Sequence, residues 1–288
     1  MGLNRPITVG RIDYANVWPI FHYAEQQLPQ ERFRIEKRVP AALNKALKQG
    51  EVDITSMSSY AYAENANDYL LLPNLSVSAR GRVNSILLFL KKPLEDVLKG
   101  RIAMTATSAT SVNLLKIIMK LYYKAEPSYV TMEPNLDDML EEADAALLIG
   151  DTAIQASWAN KERGMAVIDL GELWRNWTGY GMTFALVAVR KEIAAADPEA
   201  VSTVLHALTE SKERSLSDLR PLVDKACTLL GGEADYWTRY FQELHYNFGS
   251  DEQAGLTLYF DYAHQLGLLP HEVQMQFFTD LAALKVNQ

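Results

Sequence analysis

The order of strand and helix patterns along the chain restricts the fold more than any other feature. Short apolar strand patterns alternate with helix patterns over residues 7–59, and a second alternating series covers residues 100–170. Such alternation is typical of an α/β sheet. The strand pattern NSILLFLK at 84–91 separates the two series, and TFALVAVR at 183–190 closes the second. The sequence therefore predicts two lobes, each a mixed sheet flanked by helices, with two crossover strands and a helical C-terminal region.

The two crossover strands predict where the lobes divide. We expect lobe 1 to contain residues 1–89 plus 190–288, and lobe 2 to contain residues 90–189. A hinge is expected near Leu88 to Lys92 and near Ala188 to Lys191. In folds of this class the ligand lies between lobes, at the carboxyl ends of strands and the N-termini of helices. Aromatic residues that are dense in the C-terminal region are interpreted as packing between helices.

Charge and apolar patterning narrow the choice of partners. The 288 residues contain 28 Lys+Arg and 36 Asp+Glu, a net charge of −8, whereas nucleic-acid binders usually carry a basic patch. No apolar run approaches the roughly 20 residues of a membrane span, and the N-terminus lacks the apolar segment of a secretory signal. We therefore expect a cytoplasmic protein without nucleic-acid or membrane partners, which acts as a monomer or homodimer. The single cysteine, Cys227, excludes an intramolecular disulfide.

The common catalytic and cofactor signatures are absent from the sequence. There is no GxGxxG, GxxxxGK[ST], HExxH or CxxC motif, and the five histidines are scattered without metal-ligand spacing. We therefore predict no metal and no cofactor. A small-molecule substrate remains the expected partner.

Small polar residues recur where predicted strands lead into helices. The clusters are Tyr14-Ala15-Asn16, the serines Ser56, Ser58 and Ser59, Asn84-Ser85, the group Thr107, Ser108, Thr110 and Ser111, and Gly150-Asp151-Thr152. Each cluster alone is explained by helix capping. Because hydroxyls and helix N-terminal N–H groups also bind carboxylates, their recurrence in both lobes predicts a site for a small organic anion.

Several longer strings carry a family resemblance over residues 7–190. They are GRIDYANVWPIF, EVDITSMSSYAY, SVSARGRVNSILLFLKK, TSATSVNLL, ALLIGDTAI and DLGELWRNWTGYGMTFALVAVR. In this order and spacing they resemble the chorismate dehydratases of the futalosine route to menaquinone. The resemblance implies a fold like that of the type II periplasmic binding proteins and a cytosolic enzyme. It also implies conversion of chorismate to 3-enolpyruvylbenzoate and water.

The resemblance also implies which residues act on the substrate. The family's active-site asparagine and serine match Asn16 and Ser85. From the polar clusters we further expect substrate to be bound by Tyr14, Ser58, Ser59, Asn84, Thr107, Ser108, Thr110, Ser111, Gly150 and Asp151. The chain departs from the family's Ser-x-Glu-Tyr pattern, because Ala61 stands in place of the glutamate. We interpret that position as a residue of a helix face.

The sequence leaves the proton acceptor and three rival functions open, of which one is a ligand-sensing regulatory domain, although no DNA-binding helix-turn-helix is evident. The acceptor is either the substrate's own enolpyruvyl carboxylate or a protein group such as Asp151, which is also explained as a helix cap. A solute-binding protein for a small carboxylate has the same fold, but we find no signal peptide or lipobox. The related 1,4-dihydroxy-6-naphthoate synthase is expected to have a first loop richer in Cys-Pro-Asn-Asp.

Overall fold

A computed structural model describes residues 5–280 and shows eleven strands within them. In chain order the strands are β1 (Ile7–Ile12), β2 (Phe33–Arg38), β3 (Ile54–Ser58), β4 (Tyr69–Ala79), β5 (Ile86–Leu90), β6 (Arg101–Thr105), β7 (Ser128–Met132), β8 (Ala145–Ile149), β9 (Ala166–Asp169), β10 (Met182–Arg190) and β11 (Leu244–His245). They form a six-stranded sheet of order β11-β4-β10-β3-β1-β2 and a five-stranded sheet of order β7-β6-β8-β5-β9.

Helices flank both sheets. They are α1 (Trp18–Phe21), α2 (Ala24–Gln27), α3 (Pro40–Gln49), α4 (Ser59–Glu64), α5 (Leu94–Val97), α6 (Ala109–Ile117), α7 (Leu136–Glu142), α8 (Gly150–Arg163), α9 (Leu170–Thr178), α10 (Lys191–Ala196), α11 (Pro198–Ser217), α12 (Arg220–Leu230), α13 (Ala234–Glu243) and α14 (Ser250–Gln265). A 3-10 turn, Ala15–Val17, precedes α1. No helix in this part of the chain is long and apolar enough to cross a membrane.

Each sheet combines parallel and antiparallel pairs. In the first sheet β1 runs parallel to β2 and β3, whereas β10 runs antiparallel to β3 and β4. In the second, β6 runs parallel to β7 and β8, and β5 runs antiparallel to β8 and β9. The predicted α/β class with two mixed sheets is therefore confirmed. The parallel strands end where the polar clusters begin, so these ends position the candidate site.

Local signals in the sequence account for several helix bounds. Pro40 opens α3, and Gly50 ends it with a φ of 77°, a conformation that glycine adopts without steric cost. Asp197 accepts a hydrogen bond of 3.0 Å from the Ala200 N–H, and Pro198 is the first residue of α11. These helices begin where cap and proline patterns predict.

The chain passes from the first sheet to the second before β5 and returns before β10. The predicted boundaries at 89/90 and 189/190 instead lie near the ends of these two strands. All of β5 pairs within the second sheet, and all of β10 pairs within the first. The predicted hinge segments therefore overlap hydrogen-bonded strands, whose backbones are constrained on both sides. An apolar pattern predicts an extended strand but not the sheet that it joins. We propose instead that lobe 2 is residues 85–180 and that the hinges lie near 80–85 and 179–181.

Candidate active site

The loop after β1 meets the start of α8 across the two lobes. The Tyr14 ring lies against Gly150, where a Cβ atom would come within 3.1 Å of the ring and where φ is +61°. Both facts favour glycine at this position. The Ala15 N–H donates to both carboxylate oxygens of Asp151, at 3.2 and 3.3 Å. Residues predicted separately in two lobes are therefore brought together.

Ser85 directly precedes β5 of the second sheet and lies next to the start of α8. Its side chain is buried, and its carbonyl oxygen accepts a hydrogen bond of 2.7 Å from the Gly150 N–H. The Ser85 Oγ accepts from the Tyr240 hydroxyl at 3.0 Å and donates to the Val83 carbonyl oxygen at 3.2 Å. We name the set Tyr14, Asn16, Ser85, Gly150 and Asp151 the α8 junction.

Two buried polar atoms at or beside the α8 junction have no hydrogen-bond partner within residues 5–280. They are the Asn16 Oδ1 and the hydroxyl oxygen of Tyr236. The Tyr236 ring stacks on Tyr240 at 6.3 Å, with the ring planes 8° apart. Because buried polar groups almost always have a partner, these two atoms make the region a candidate for binding water or a ligand.

The electrostatics of the junction centre on Asp151. The pKa of Asp151 is raised to about 6, chiefly by burial; the hydrogen bond from the Ala15 N–H opposes the rise, and the nearby Asp13 adds a smaller upward contribution. Burial is also the main cause of a raised pKa for Tyr236, to which the charges of Glu243 and Asp151 contribute. Tyr236 therefore stays protonated at neutral pH, as a hydrogen-bond donor near an ionisable carboxyl group.

Thr107 connects the end of β6 to the α8 junction. Its side chain hydrogen-bonds the Tyr14 hydroxyl, which lowers the pKa of Tyr14, while burial raises it more strongly. The Thr107 Oγ1 also lies 2.8 Å from the Oγ1 of Thr105. The hydrogen bond to Tyr14 therefore connects Thr107, the first residue of the 107–111 cluster, to the loop after β1.

The start of α6 faces the start of α4 in a second polar region, where the hydroxyls bond to protein groups. The Ser108 Oγ caps α6 by accepting from the Ser111 N–H at 3.2 Å, and it donates to the Ser111 Oγ at 3.1 Å. The Thr110 Oγ1 accepts from the Tyr60 N–H at 3.0 Å. We name Ser58, Ser59, Ser108, Thr110 and Ser111 the α6 junction.

The two serines of the α6 junction that belong to lobe 1 also bond to protein groups. The Ser58 Oγ caps α4 by accepting from the Ala61 N–H at 3.4 Å. The Ser59 Oγ donates to the Thr183 carbonyl oxygen at 2.8 Å. Ala61, the departure from the family pattern, is a buried residue of α4. The predicted role of these serines in binding substrate remains a prediction.

The structure places Asn84 at the crossover, where it has a φ of 59°. The Asn84 N–H donates to Asp169 at 2.7 Å, and its side-chain amide donates to Glu243 at 2.5 Å. The buried Asp169 carboxylate also accepts from the N–H groups of Val83, Gly171 and Glu172. Asp169 therefore ties the crossover to the start of α9, a role that we did not predict from the sequence.

Two cavities lie along α13. One of about 630 Å³ lies between Trp158 and Lys161 of α8 and residues 232–236. The other, of about 240 Å³, is lined by Arg82, Asn84, Tyr236, Arg239, Tyr240 and Glu243. Tyr236 and Arg239 line both. The involvement of α13 was missed, because its aromatic residues are indistinguishable in sequence from those that only pack helices together.

No group of three or more His, Cys, Asp or Glu in the described part of the chain is arranged to hold a metal ion.

Solved structures define the class of protein. The chain matches protein AF1704 from Archaeoglobus fulgidus with a TM-score of 0.75 and 20% identity, covering 92% of this chain and 99% of that one. It matches the aliphatic sulphonate binding protein SsuA from Escherichia coli with a TM-score of 0.66 and 14% identity, covering 97% and 94%. A Candida albicans protein described as having the generic periplasmic binding protein fold gives 0.67 and 14%, covering 95% and 97%. The fold is therefore that of the periplasmic binding proteins.

Sequence comparison then identifies the family. A family model described as menaquinone biosynthesis matches residues 7–265. The chorismate dehydratase of Thermus thermophilus is 35% identical over 92% of this chain and 96% of that protein. The 1,4-dihydroxy-6-naphtoate synthase of the same organism is 25% identical, covering 73% of each chain. The protein belongs to the menaquinone biosynthesis family, and the resemblance found in its sequence motifs is confirmed.

Proposed function

We propose that the protein is a chorismate dehydratase, a hydro-lyase that converts chorismate to 3-[(1-carboxyvinyl)oxy]benzoate and water for menaquinone biosynthesis through futalosine. The observation that carries the proposal is the 35% identity to a chorismate dehydratase over nearly the whole of both chains. The unpartnered Oδ1 of Asn16, the residue after Ala15, whose N–H donates to Asp151, supports a ligand site near Asp151. We propose a cytoplasmic location, because the resemblance is to cytosolic enzymes.

The reaction is a 1,2-elimination that makes the ring aromatic. The C3–H bond breaks and its electrons form the new ring double bond, while the C4–O bond breaks and its electrons leave with the hydroxyl group. The C3 proton and the departing hydroxide together form the released water. C3–H is acidic because the ring carboxylate is conjugated to it through the adjacent double bond. The protein's task is to hold two carboxylates and stabilise the developing charge.

We assign the removal of the C3 proton to the substrate's own enolpyruvyl carboxylate. That carboxylate is joined to C3 through the ether oxygen and one vinyl carbon, so proximity favours it as the base. In this mechanism Asn16 and Ser85 orient the carboxylate and the leaving hydroxyl group. The N-terminus of α6, with Thr107 beside it, would bind the ring carboxylate.

Asp151 has a different part in this mechanism. A bound dianion disfavours a second negative charge nearby, so substrate binding would raise the pKa of Asp151 above its value of about 6. The neutral carboxyl group can then donate a hydrogen bond to the substrate while it still accepts from the Ala15 N–H.

Incubation of the protein with chorismate tests the proposed function. We expect ultraviolet absorbance to report the loss of the cyclohexadiene, and mass spectrometry to find a product lighter by one water. Binding of chorismate without turnover would favour a solute-binding protein. If chorismate neither binds nor reacts, the related 1,4-dihydroxy-6-naphthoate synthase becomes the better hypothesis.

A further inference from the structure

The buried hydroxyl of Tyr240 makes a contact that the proposed mechanism has not used. Tyr240 lies on α13, 155 residues along the chain from Ser85, with only 1% of its surface exposed. Within residues 5–280 its hydroxyl makes one hydrogen bond, of 3.0 Å, to the Ser85 Oγ. Burial raises the pKa of Tyr240 well above its usual value, so the phenol keeps its proton.

This contact fixes the direction of the hydrogen bond. A buried phenol that cannot ionise must donate its proton or leave it unpaired, and Ser85 is its acceptor. A serine hydroxyl has one proton and two lone pairs. Because Tyr240 occupies one lone pair, the Ser85 proton is directed elsewhere.

In this structure the Ser85 proton points to a replaceable partner. Ser85 donates to the Val83 carbonyl oxygen over 3.2 Å, which is long for a hydrogen bond between two oxygen atoms. Val83 lies two residues earlier in the crossover, and a substrate oxygen at the α8 junction would compete for this proton. A donor that already receives a hydrogen bond is also polarised and becomes a stronger donor.

We propose that Tyr240 is a positioning residue, which holds Ser85 as a hydrogen-bond donor to the hydroxyl group that leaves the substrate. This inference rests on the proposed dehydration of chorismate. On substrate binding the Ser85 proton turns from Val83 to the C4 oxygen, while Tyr240 continues to donate to the Ser85 Oγ. Ser85 gives a hydrogen bond and not a proton, since the proton of the released water comes from C3.

The packing around the Tyr240 ring allows its hydroxyl to be removed without changing the ring contacts. Its ring contacts Trp237 and Phe241, each at 5.6 Å between ring centroids, and stacks on Tyr236. Tyr240→Phe keeps the ring and removes only the hydroxyl. We expect the variant to fold with a melting temperature close to that of the wild type.

The experiment compares the steady-state kinetics of Tyr240→Phe with those of the wild type. We expect kcat to fall about 10- to 100-fold, less than for direct loss of a donor, because Ser85 remains but is no longer aligned. KM should change by less than about 3-fold, since the aligned donor acts mainly on the developing charge. The matched control is Tyr62→Phe, which removes another buried tyrosine hydroxyl, one that accepts from the Gln276 N–H at 3.0 Å. Its kcat should not change.

A double-mutant cycle tests whether the effect passes through Ser85. In a Ser85→Ala background, Tyr240→Phe should reduce kcat by less than about 2-fold further. Multiplication of the two single losses would overturn the proposal, as would an unchanged kcat in Tyr240→Phe or a change confined to KM. If the wild type does not dehydrate chorismate, the proposed function itself is wrong. If it does, these outcomes bear on Tyr240 alone.

Discussion

The α8 and α6 junctions each bring residues of the two lobes together near the start of a helix, but they differ in how their polar atoms are used. At the α6 junction the hydroxyls bond to protein groups: Ser108 caps α6, Thr110 accepts from the Tyr60 N–H of the other lobe, and Ser59 donates to the Thr183 carbonyl oxygen of the sheet. At the α8 junction, the Asn16 Oδ1 has no partner within residues 5–280, and neither has the neighbouring Tyr236 hydroxyl. The comparison distinguishes hydroxyls that already bond to protein groups from buried polar atoms that have no protein partner.

The two junctions also differ in whether they contain an ionisable group. Asp151 at the α8 junction has a pKa raised to about 6, because its environment disfavours the ionised form. A site that retains such a group sacrifices stability, which is common where function requires it. The α6 junction contains only neutral hydroxyl residues.

The largest expected effect comes from removing the candidate catalytic side chains of the α8 junction. Asn16→Ala and Ser85→Ala should each lower kcat for chorismate by about 10²–10³-fold, the usual cost of losing one preorganised donor. Circular dichroism should show a native fold, and product formation is followed by absorbance. Near-normal turnover in both variants would contradict the assignment of the site.

A second prediction concerns stability and pH. The ordinary pKa of Asp151 is 3.8 and the folded value is about 6, so between these values the folded state binds more protons than the unfolded state. The free energy of unfolding therefore falls as pH rises from about 4 to about 6, and by pH 7 the penalty from Asp151 is about 2–3 kcal/mol. Asp151→Asn should recover much of this at pH 7 and reduce the slope.

Urea unfolding at several pH values measures this effect. The control is Asp138→Asn, an exposed position of α7 for which a change within about 0.5 kcal/mol is expected. An Asp151→Asn protein that is less stable than the wild type at pH 7 would show that the carboxylate is held favourably by the Ala15 N–H.

A smaller effect is expected at the α6 junction. Ser59→Ala removes the 2.8 Å hydrogen bond to the Thr183 carbonyl and should lower the free energy of unfolding by about 1 kcal/mol. The kcat/KM of the variant should stay within about 3-fold of the wild type, because the Ser59 hydroxyl donates to a protein carbonyl oxygen. Thermal unfolding and kinetics measure the two quantities. A rise in KM of about tenfold or more would instead support the substrate contact predicted from the sequence.

The smallest expected effect is that of a chelator. Neither junction gathers metal ligands within residues 5–280, and the proposed elimination uses hydrogen-bond donors. Dialysis against a strong chelator should leave the rate unchanged, in a parallel assay with an untreated sample. Loss of turnover that returns when a divalent metal is added would require a different account of the α8 junction.

Much of the architecture was predictable because it depends on spacing along the chain. Alternating apolar patterns indicated both β-α series, and the Asp197-Pro198 pair is a local cap and proline signal at the start of α11. The string DYAN and the string VNSILLF identified Asn16 and Ser85 as candidates through the family resemblance. These signals are local, since caps, turns and amphipathic faces are determined within a few residues.

Contacts between distant segments depended on tertiary packing. Strand pattern could not assign β5 and β10 to their sheets, and no local signal joins Tyr240 to Ser85 across 155 residues. Whether a hydroxyl such as that of Ser59 completes the fold or faces a ligand is decided by the atoms that packing brings beside it. A residue's type determines which hydrogen bonds it can make, and the folded environment determines which of them remain free.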